Sequence, residues 1–294
     1  MHLFKTPEKY FKVDPWLVIE EGFDPAKQRL SESIFSLANE FMCVRGYFEE
    51  GYSGDHLLGS YFSQLYEIMD INHPQVFKGF ITEGATMLNA VDWLYTRISI
   101  DGEELDLAKV KFSDFRRVLD LRNATLKREF VWTTAQNKQL RITFLRFTNM
   151  VHTALGCQRI IFEPLNFSGE VKICSGLDFD TIYELAAGWD QTQETGSSQE
   201  KKGNLNFWTC QRKQFADGLY CIQAQTKRSK INLFSSFRLA SDQTLNPHFV
   251  EREKFVGAEF SLQLQEKQAT AFDKLVVNYW AEKSDVDQVW QNGL

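Results

Sequence analysis

The sequence predicts an all-β protein: a two-sheet sandwich of antiparallel strands with a short helical end. Three observations carry this. Apolar and polar residues alternate with period two along much of the chain, the mark of half-buried strands. Aromatic residues make up 14% of the 294 positions, with 25 Phe and 7 Trp, and flat rings suit a pleated surface. Helical patterns are few, and strands in succession without intervening helices pack as antiparallel sheets.

Residues 28–38 read as a short helix or a strand. Residues 98–105 form the best hairpin signal, because Asp101-Gly102 supplies the two positive-φ positions of a type I′ turn. Residues 105–115 read as a turn-rich connection, and 126–132 and 140–147 as strands rich in β-branched and aromatic residues. In the stretch from Glu163 to Gly169, a strand ends in a turn where Asn166 and Ser168 satisfy backbone groups. The polar run 190–202 lacks an apolar anchor and reads as a surface loop. Alternation returns at 219–225, with Tyr220, Ile222 and Ala224 inside. It is cleanest at 259–265, with Phe260, Leu262 and Leu264 inside. Residues 284–290 start a helix, with Ser284 as N-cap and Asp285 and Asp287 on the favourable end of its dipole. The expected organisation is a sandwich domain over 1–280 and the start of a helical linker, cut short, over 281–294.

Composition excludes several function classes. The formal charge is −6, and no dense Lys/Arg cluster is present, so neither nucleic acid nor an anionic membrane is an expected partner. The five cysteines, at 43, 157, 174, 210 and 221, form no C-x-x-C pair. That favours a reducing compartment and a cytoplasmic protein over a disulfide framework or metal site. The first residues lack the apolar core of a signal peptide, and no run of 18 apolar residues exists.

No G-x-S-x-G elbow, His-Glu-x-x-His pair, phosphate loop or G-x-G-x-x-G turn occurs. The histidines, at 2, 56, 73, 152 and 248, lack ligand spacing. No catalytic residue and no metal ligand is therefore assigned. The stretch 46–56 concentrates aromatic rings, acids, glycines and a histidine. Its Tyr47, Glu49, Glu50, Tyr52, Asp55 and His56 are the candidates for a loop that faces a sugar or a partner. The bland reading is a structured connector whose acids cap turns. Trp93 could be a sugar platform, but a strand Trp more often belongs to the core.

A set of ordered fragments then adds what composition cannot. Val13-Asp14-Pro15-Trp16 is followed by Glu32-Ser33-Ile34-Phe35-Ser36-Leu37-Ala38-Asn39, and then by Met42-Cys43-Val44-Arg45-Gly46-Tyr47-Phe48-Glu49-Glu50-Gly51-Tyr52-Ser53-Gly54-Asp55. Further on come Asp101-Gly102-Glu103, Lys111-Phe112-Ser113-Asp114-Phe115, Arg128-Glu129-Phe130, Arg146-Phe147 and Gln158-Arg159-Ile160. This series resembles the N-terminal domain of glycoside hydrolase family 65, the maltose, trehalose and kojibiose phosphorylases. The pattern of 158–169 is nearer the kojibiose and nigerose type. The chain departs from the family at Glu40 and Cys43, where glycine is usual; a positive φ at either site would make the side chain costly.

The resemblance implies an antiparallel β-supersandwich like that of galactose mutarotase, followed by a helical linker and an (α/α)6 barrel. It implies inverting phosphorolysis of an α-glucosyl disaccharide to β-glucose 1-phosphate. A barrel Glu acts as the acid, and inorganic phosphate is co-substrate and nucleophile, so no cofactor is needed. No position of this chain corresponds to that Glu, so the chain alone is expected to be inactive. Its expected partners are its own barrel, an α-glucosyl disaccharide reached through the 46–56 loop, and a second copy in a homodimer. The alternatives are a free-standing mutarotase-like enzyme, which would need a His and a carboxylate flanking a sugar, and a carbohydrate-binding sandwich.

Overall fold

The computed structural model describes residues 10–71, 77–184, 204–282 and 285–294. Among them, two large antiparallel sheets face each other. The larger has ten strands, in the order Lys12–Val13, Leu17–Glu21, Lys111–Asp120, Thr125–Thr133, Gln139–Thr148, Leu155–Pro164, Thr270–Ala281, Asn232–Ser241, Leu219–Thr226 and Trp208–Ala216. The smaller runs His248–Arg252, Phe255–Leu264, Gly169–Asp178, Thr96–Ile100 and Glu103–Glu104. The all-β sandwich expected from alternation is the fold observed.

The core lies between the sheets and is heavily aromatic. Phe260 of the smaller sheet meets Phe272 of the larger edge-on at 5.2 Å, and Phe162 stacks on Phe272. Trp93 is buried in this layer, as its core reading required. The 98–105 hairpin forms as predicted, with φ of +50° at Asp101 and +83° at Gly102. Asn166 and Ser168 bond backbone groups: Asn166 Oδ1 accepts from Gln139 N, and Ser168 Oγ from Glu266 N.

Three stretches differ from expectation. Residues 28–38 are both things in turn: a helix, Gln28–Ile34, then a short strand, Leu37–Ala38. The connection read over 105–115 already holds the start of the strand Lys111–Asp120. Its alternation is broken by a register shift between Ser113 and Arg116 and by Asp114 at φ +55°, so period two is lost there. In Leu219–Thr226, Tyr220, Ile222 and Ala224 are buried as expected, but so are Cys221 and Gln223 on the opposite face. The cause is the C-terminal helix Val286–Gly293. It lays Val289 and Trp290 on Cys221 and Phe234, and Gln223 Nε2 donates to Val286 O at 3.1 Å. Asp285 caps this helix through Asp287 N. Ser284, the polar run 190–202, His2 and His73 lie outside the described residues.

A separate hairpin, Tyr66–Asp70 with Glu83–Met87, is tied to the 227–230 turn. Glu67 accepts from Arg228 N and Ser229 N, while the Arg228 guanidinium reaches Asp70 and Glu83. No helix among the described residues is long and apolar enough to cross a membrane.

Candidate functional site

Three neighbouring strands of the large sheet put arginines on the face that should be apolar. In Lys111–Asp120, Thr125–Thr133 and Gln139–Thr148, alternation turns Phe115, Leu119, Leu126, Phe130 and Phe144 inward, and with them Arg117, Arg128 and Arg146. Arg117 sits directly opposite Arg128 in the ladder. Like charges so placed repel, and buried charges without partners are expensive. The rings around them accommodate the flat guanidinium: that of Arg128 lies 4.1 Å from the Phe48 centroid and 4.3 Å from that of Phe144.

Two of the missing charges come from the 46–56 stretch, which crosses this end of the sheet, and a third from Glu20 of the strand Leu17–Glu21. Arg128 donates to Glu50 Oε1 and to Glu49 Oε2, each at 2.7 Å, and touches the second oxygen of Glu50 as well. Arg146 reaches Glu49 Oε1 at 3.0 Å. Arg117 Nε lies 2.8 Å from Glu20 Oε2, so three arginines meet three carboxylates. The same guanidinium groups also bond the backbone carbonyls of Arg45, Gly46 and Tyr47. Arg146 thus binds both side chain and main chain of this segment, Arg128 its side chains and Arg117 its main chain, and together they fix its path.

Two glycines allow that path. Gly46 N donates to Glu32 O at 2.7 Å, and a Cβ at Gly46 would stand 2.9 Å from that of Phe35. Gly51 has φ +87°, and a Cβ there would come 2.8 Å from the Arg97 guanidinium.

Electrostatics follow from burial and pairing. Burial works against the charged form of Glu49, but Arg146 and Arg128 outweigh it and hold its carboxyl below the ordinary value. For Glu50, burial wins and raises it, against the pull of Arg128. Burial lowers Arg117 to about 10. Beside this lattice, Tyr47 Oη donates to Asp92 Oδ1 at 2.7 Å, and burial raises both groups.

The six candidates thus separate. Tyr47, Glu49 and Glu50 point inward, the two acids bound by arginines and the Tyr47 hydroxyl by Asp92, so they hold the segment in place. Tyr52 marks the boundary, its ring edge-on to Phe23, Phe48 and His56. Asp55 and His56 turn outward. Asp55 is 70% exposed and paired with Arg29 at 2.7 Å; His56 is half-buried, its Nδ1 2.9 Å from Gly54 O. Sequence reading missed the three arginines as site residues, although an Arg in the inward phase of a strand was the available signal. It also missed a polar groove of about 650 Å³ on the outer face of the smaller sheet, where Arg97, Lys172, His248 and Glu259 converge. Glu40 and Cys43 both have ordinary φ, so neither is strained for want of glycine. Among the described residues, no three His, Cys, Asp or Glu are grouped to hold a metal.

The profile described as "Glycosyl hydrolase family 65, N-terminal domain" matches residues 18–292. The chain belongs to this family. It is 33% identical over 177 residues to an α,α-trehalose phosphorylase of Thermoanaerobacter brockii, covering 59% of this chain and 23% of that protein. It is equally identical, at 33% over 197 residues, to maltose phosphorylase of Bacillus subtilis strain 168, covering 67% of this chain and 25% of that one. A solved structure described as "Putative kojibiose phosphorylase from human microbiome" superposes with a TM-score of 0.86 at 27% identity, over 99% of this chain and 36% of its own. The family 65 chain therefore spans about a quarter of the length of these curated relatives.

Proposed function

We propose that this family 65 domain is the non-catalytic N-terminal part of an inverting α-glucosyl disaccharide phosphorylase. The reaction would convert a disaccharide and inorganic phosphate to β-glucose 1-phosphate and a free sugar, with the chemistry in an (α/α)6 barrel that this sandwich supports. The phosphorylase names of its relatives support the reaction class. A cytoplasmic site and a homodimer belong to the same reading.

The observation that carries it is the commitment of the acids. Glu20, Glu49 and Glu50 are each bound to a buried arginine, and Glu32 takes Gln28 Nε2 and Leu57 N. A general acid needs a proton to give and a substrate within reach, and these carboxyls are buried behind the segment that they hold. What the lattice leaves outward is Asp55 and His56, on a backbone that cannot shift easily. Such a segment suits contact with the mouth of a neighbouring catalytic domain.

The test is made in a full-length phosphorylase carrying this domain. Asp55→Ala and His56→Ala are expected to lower kcat/KM for the disaccharide about tenfold or more, a loss of about 1.4 kcal/mol, with an unchanged melting temperature. Unchanged kinetics and assembly in both variants would remove this segment from the active-site reading.

A further inference from the structure

We propose that the sheet edge left open among the described residues, at the strand Trp208–Ala216, carries a binding site for a phosphate-type oxyanion, built on Lys227 and Lys254. The inference does not depend on the family's reaction.

A groove of about 430 Å³ lies along the strand Trp208–Ala216, which ends the sheet order. This is within the roughly 300–1,000 Å³ typical of small-molecule sites. Its charged lining is Arg212, Lys213, Lys227 and Lys254 against a single acid, Glu253, in a chain of formal charge −6. Two of the four cations have carboxylate neighbours outside the lining. Arg212 lies 3.6 Å from Asp287, and Lys213 3.1 Å from Glu251.

Lys227 and Lys254 are held differently. Both ammonium groups donate at 2.7 Å to the same residue, Lys227 to the backbone oxygen of Asn206 and Lys254 to its side-chain oxygen. Among the described residues, neither is in an ion pair. Asn206 is itself fixed. Its amide nitrogen donates to Phe179 O and Thr181 O, and its Oδ1 also accepts from Trp208 N. The fold thus brings two ammonium groups together on a rigid node with neutral partners. By themselves they repel, more so in a partly enclosed groove than in open water. An oxyanion between them reverses that term. A phosphate monoester carries about −1.5 to −2 at pH 7, which matches two ammonium groups. The strand offers further donors: it is an edge strand with a bulge between Cys210 and Arg212, and unpaired edge N–H groups can turn toward an anion.

The experiment titrates the whole chain with inorganic phosphate, glucose 1-phosphate and glucose 6-phosphate. Binding is read by calorimetry and melting temperature, with sodium chloride holding ionic strength constant. Saturable binding is expected, and the Lys227→Met/Lys254→Met double variant should bind at least tenfold more weakly. The single variants Lys227→Gln and Lys254→Gln should each weaken binding too, which keeps the test usable if the double variant misfolds. In phosphate-free buffer the variants should melt no lower than the parent chain, because a repulsion has been removed. Tighter binding of the hexose phosphates would mark a phosphosugar site, and equal binding a free-anion site; either supports the proposal. No saturable binding, or equal binding by the parent chain and the variants, would overturn it.

Discussion

Arg128→Met should destabilise this domain by about 3–5 kcal/mol, the range found when one member of a buried ion pair is removed. The reason is what stays behind. Glu49 and Glu50 are both buried and share Arg128 between them, so the variant leaves two adjacent carboxylates with only Arg146 in contact. A loss of that size is a large part of the roughly 5–15 kcal/mol that holds a domain folded. Urea unfolding of the chain measures it. Arg128→Lys should fall between, since one ammonium cannot fork to two carboxylates. The deficit should also depend on pH. In the variant the unpaired carboxyls are easier to bury protonated. Their cost is therefore small below the ordinary carboxylate pKa and grows as pH rises toward neutrality. A flat deficit from pH 4 to 7 would mean that Glu49 and Glu50 are not the source.

Lys274 gives the second large effect, and one of opposite sign. It is fully buried between the sheets, with Nζ 2.6 Å from Gly176 O and 3.3 Å from Tyr95 O, and the Phe237 ring at 4.9 Å. Burial lowers its pKa to about 7, with Asp92 and Cys174 pulling weakly the other way. Between pH 7 and its ordinary value of 10.5, the unfolded chain binds a proton that the folded chain does not. Unfolding is then favoured by acid, so stability rises with pH across this window. From pH 7 to 8.5 the gain should be about 1–2 kcal/mol. Above the ordinary thiol value the slope should weaken or reverse, because burial raises Cys174 to about 11 and Cys221 to about 12, and their stability contribution is lost as pH rises. Lys274→Met should remove the rise between pH 7 and 8.5 and make the chain more stable at pH 7. Chemical denaturation at both pH values, in both proteins, provides the comparison.

Much of this fold was legible in the sequence, and the failures share a cause. Alternation located the strand at 259–265, the Asp-Gly pair located its hairpin, and Trp93 fell in the core as expected, although it precedes the strand Thr96–Ile100 rather than lying in one. Alternation says which residues share a face, not what covers it. Cys221 and Gln223 therefore read as solvent-facing until Trp290 and Val289, more than sixty residues on, were seen to lie over them. The same limit hid the charge lattice. Glu49 meets Arg146 across 97 residues, and Glu50 meets Arg128 across 78. In the sequence, Glu49-Glu50 looked like surface charge and Arg128 like an ordinary strand residue. Only the three-dimensional pairing makes them one unit. The sequence signal was there in another form: Arg128, Arg146, Glu49 and Glu50 lie in fragments that resemble the family, though nothing in the spacing says that they touch.

The central claim is that this domain positions chemistry that occurs elsewhere in the protein. The most direct measurement is phosphorolysis by the purified chain. Kojibiose, nigerose, trehalose and maltose are each supplied with inorganic phosphate, and glucose 1-phosphate is assayed, beside a full-length phosphorylase of the same type. The account predicts no product from the folded chain and product from the full-length enzyme. Glucose 1-phosphate formed by the chain alone would place a catalytic acid within these residues and contradict it.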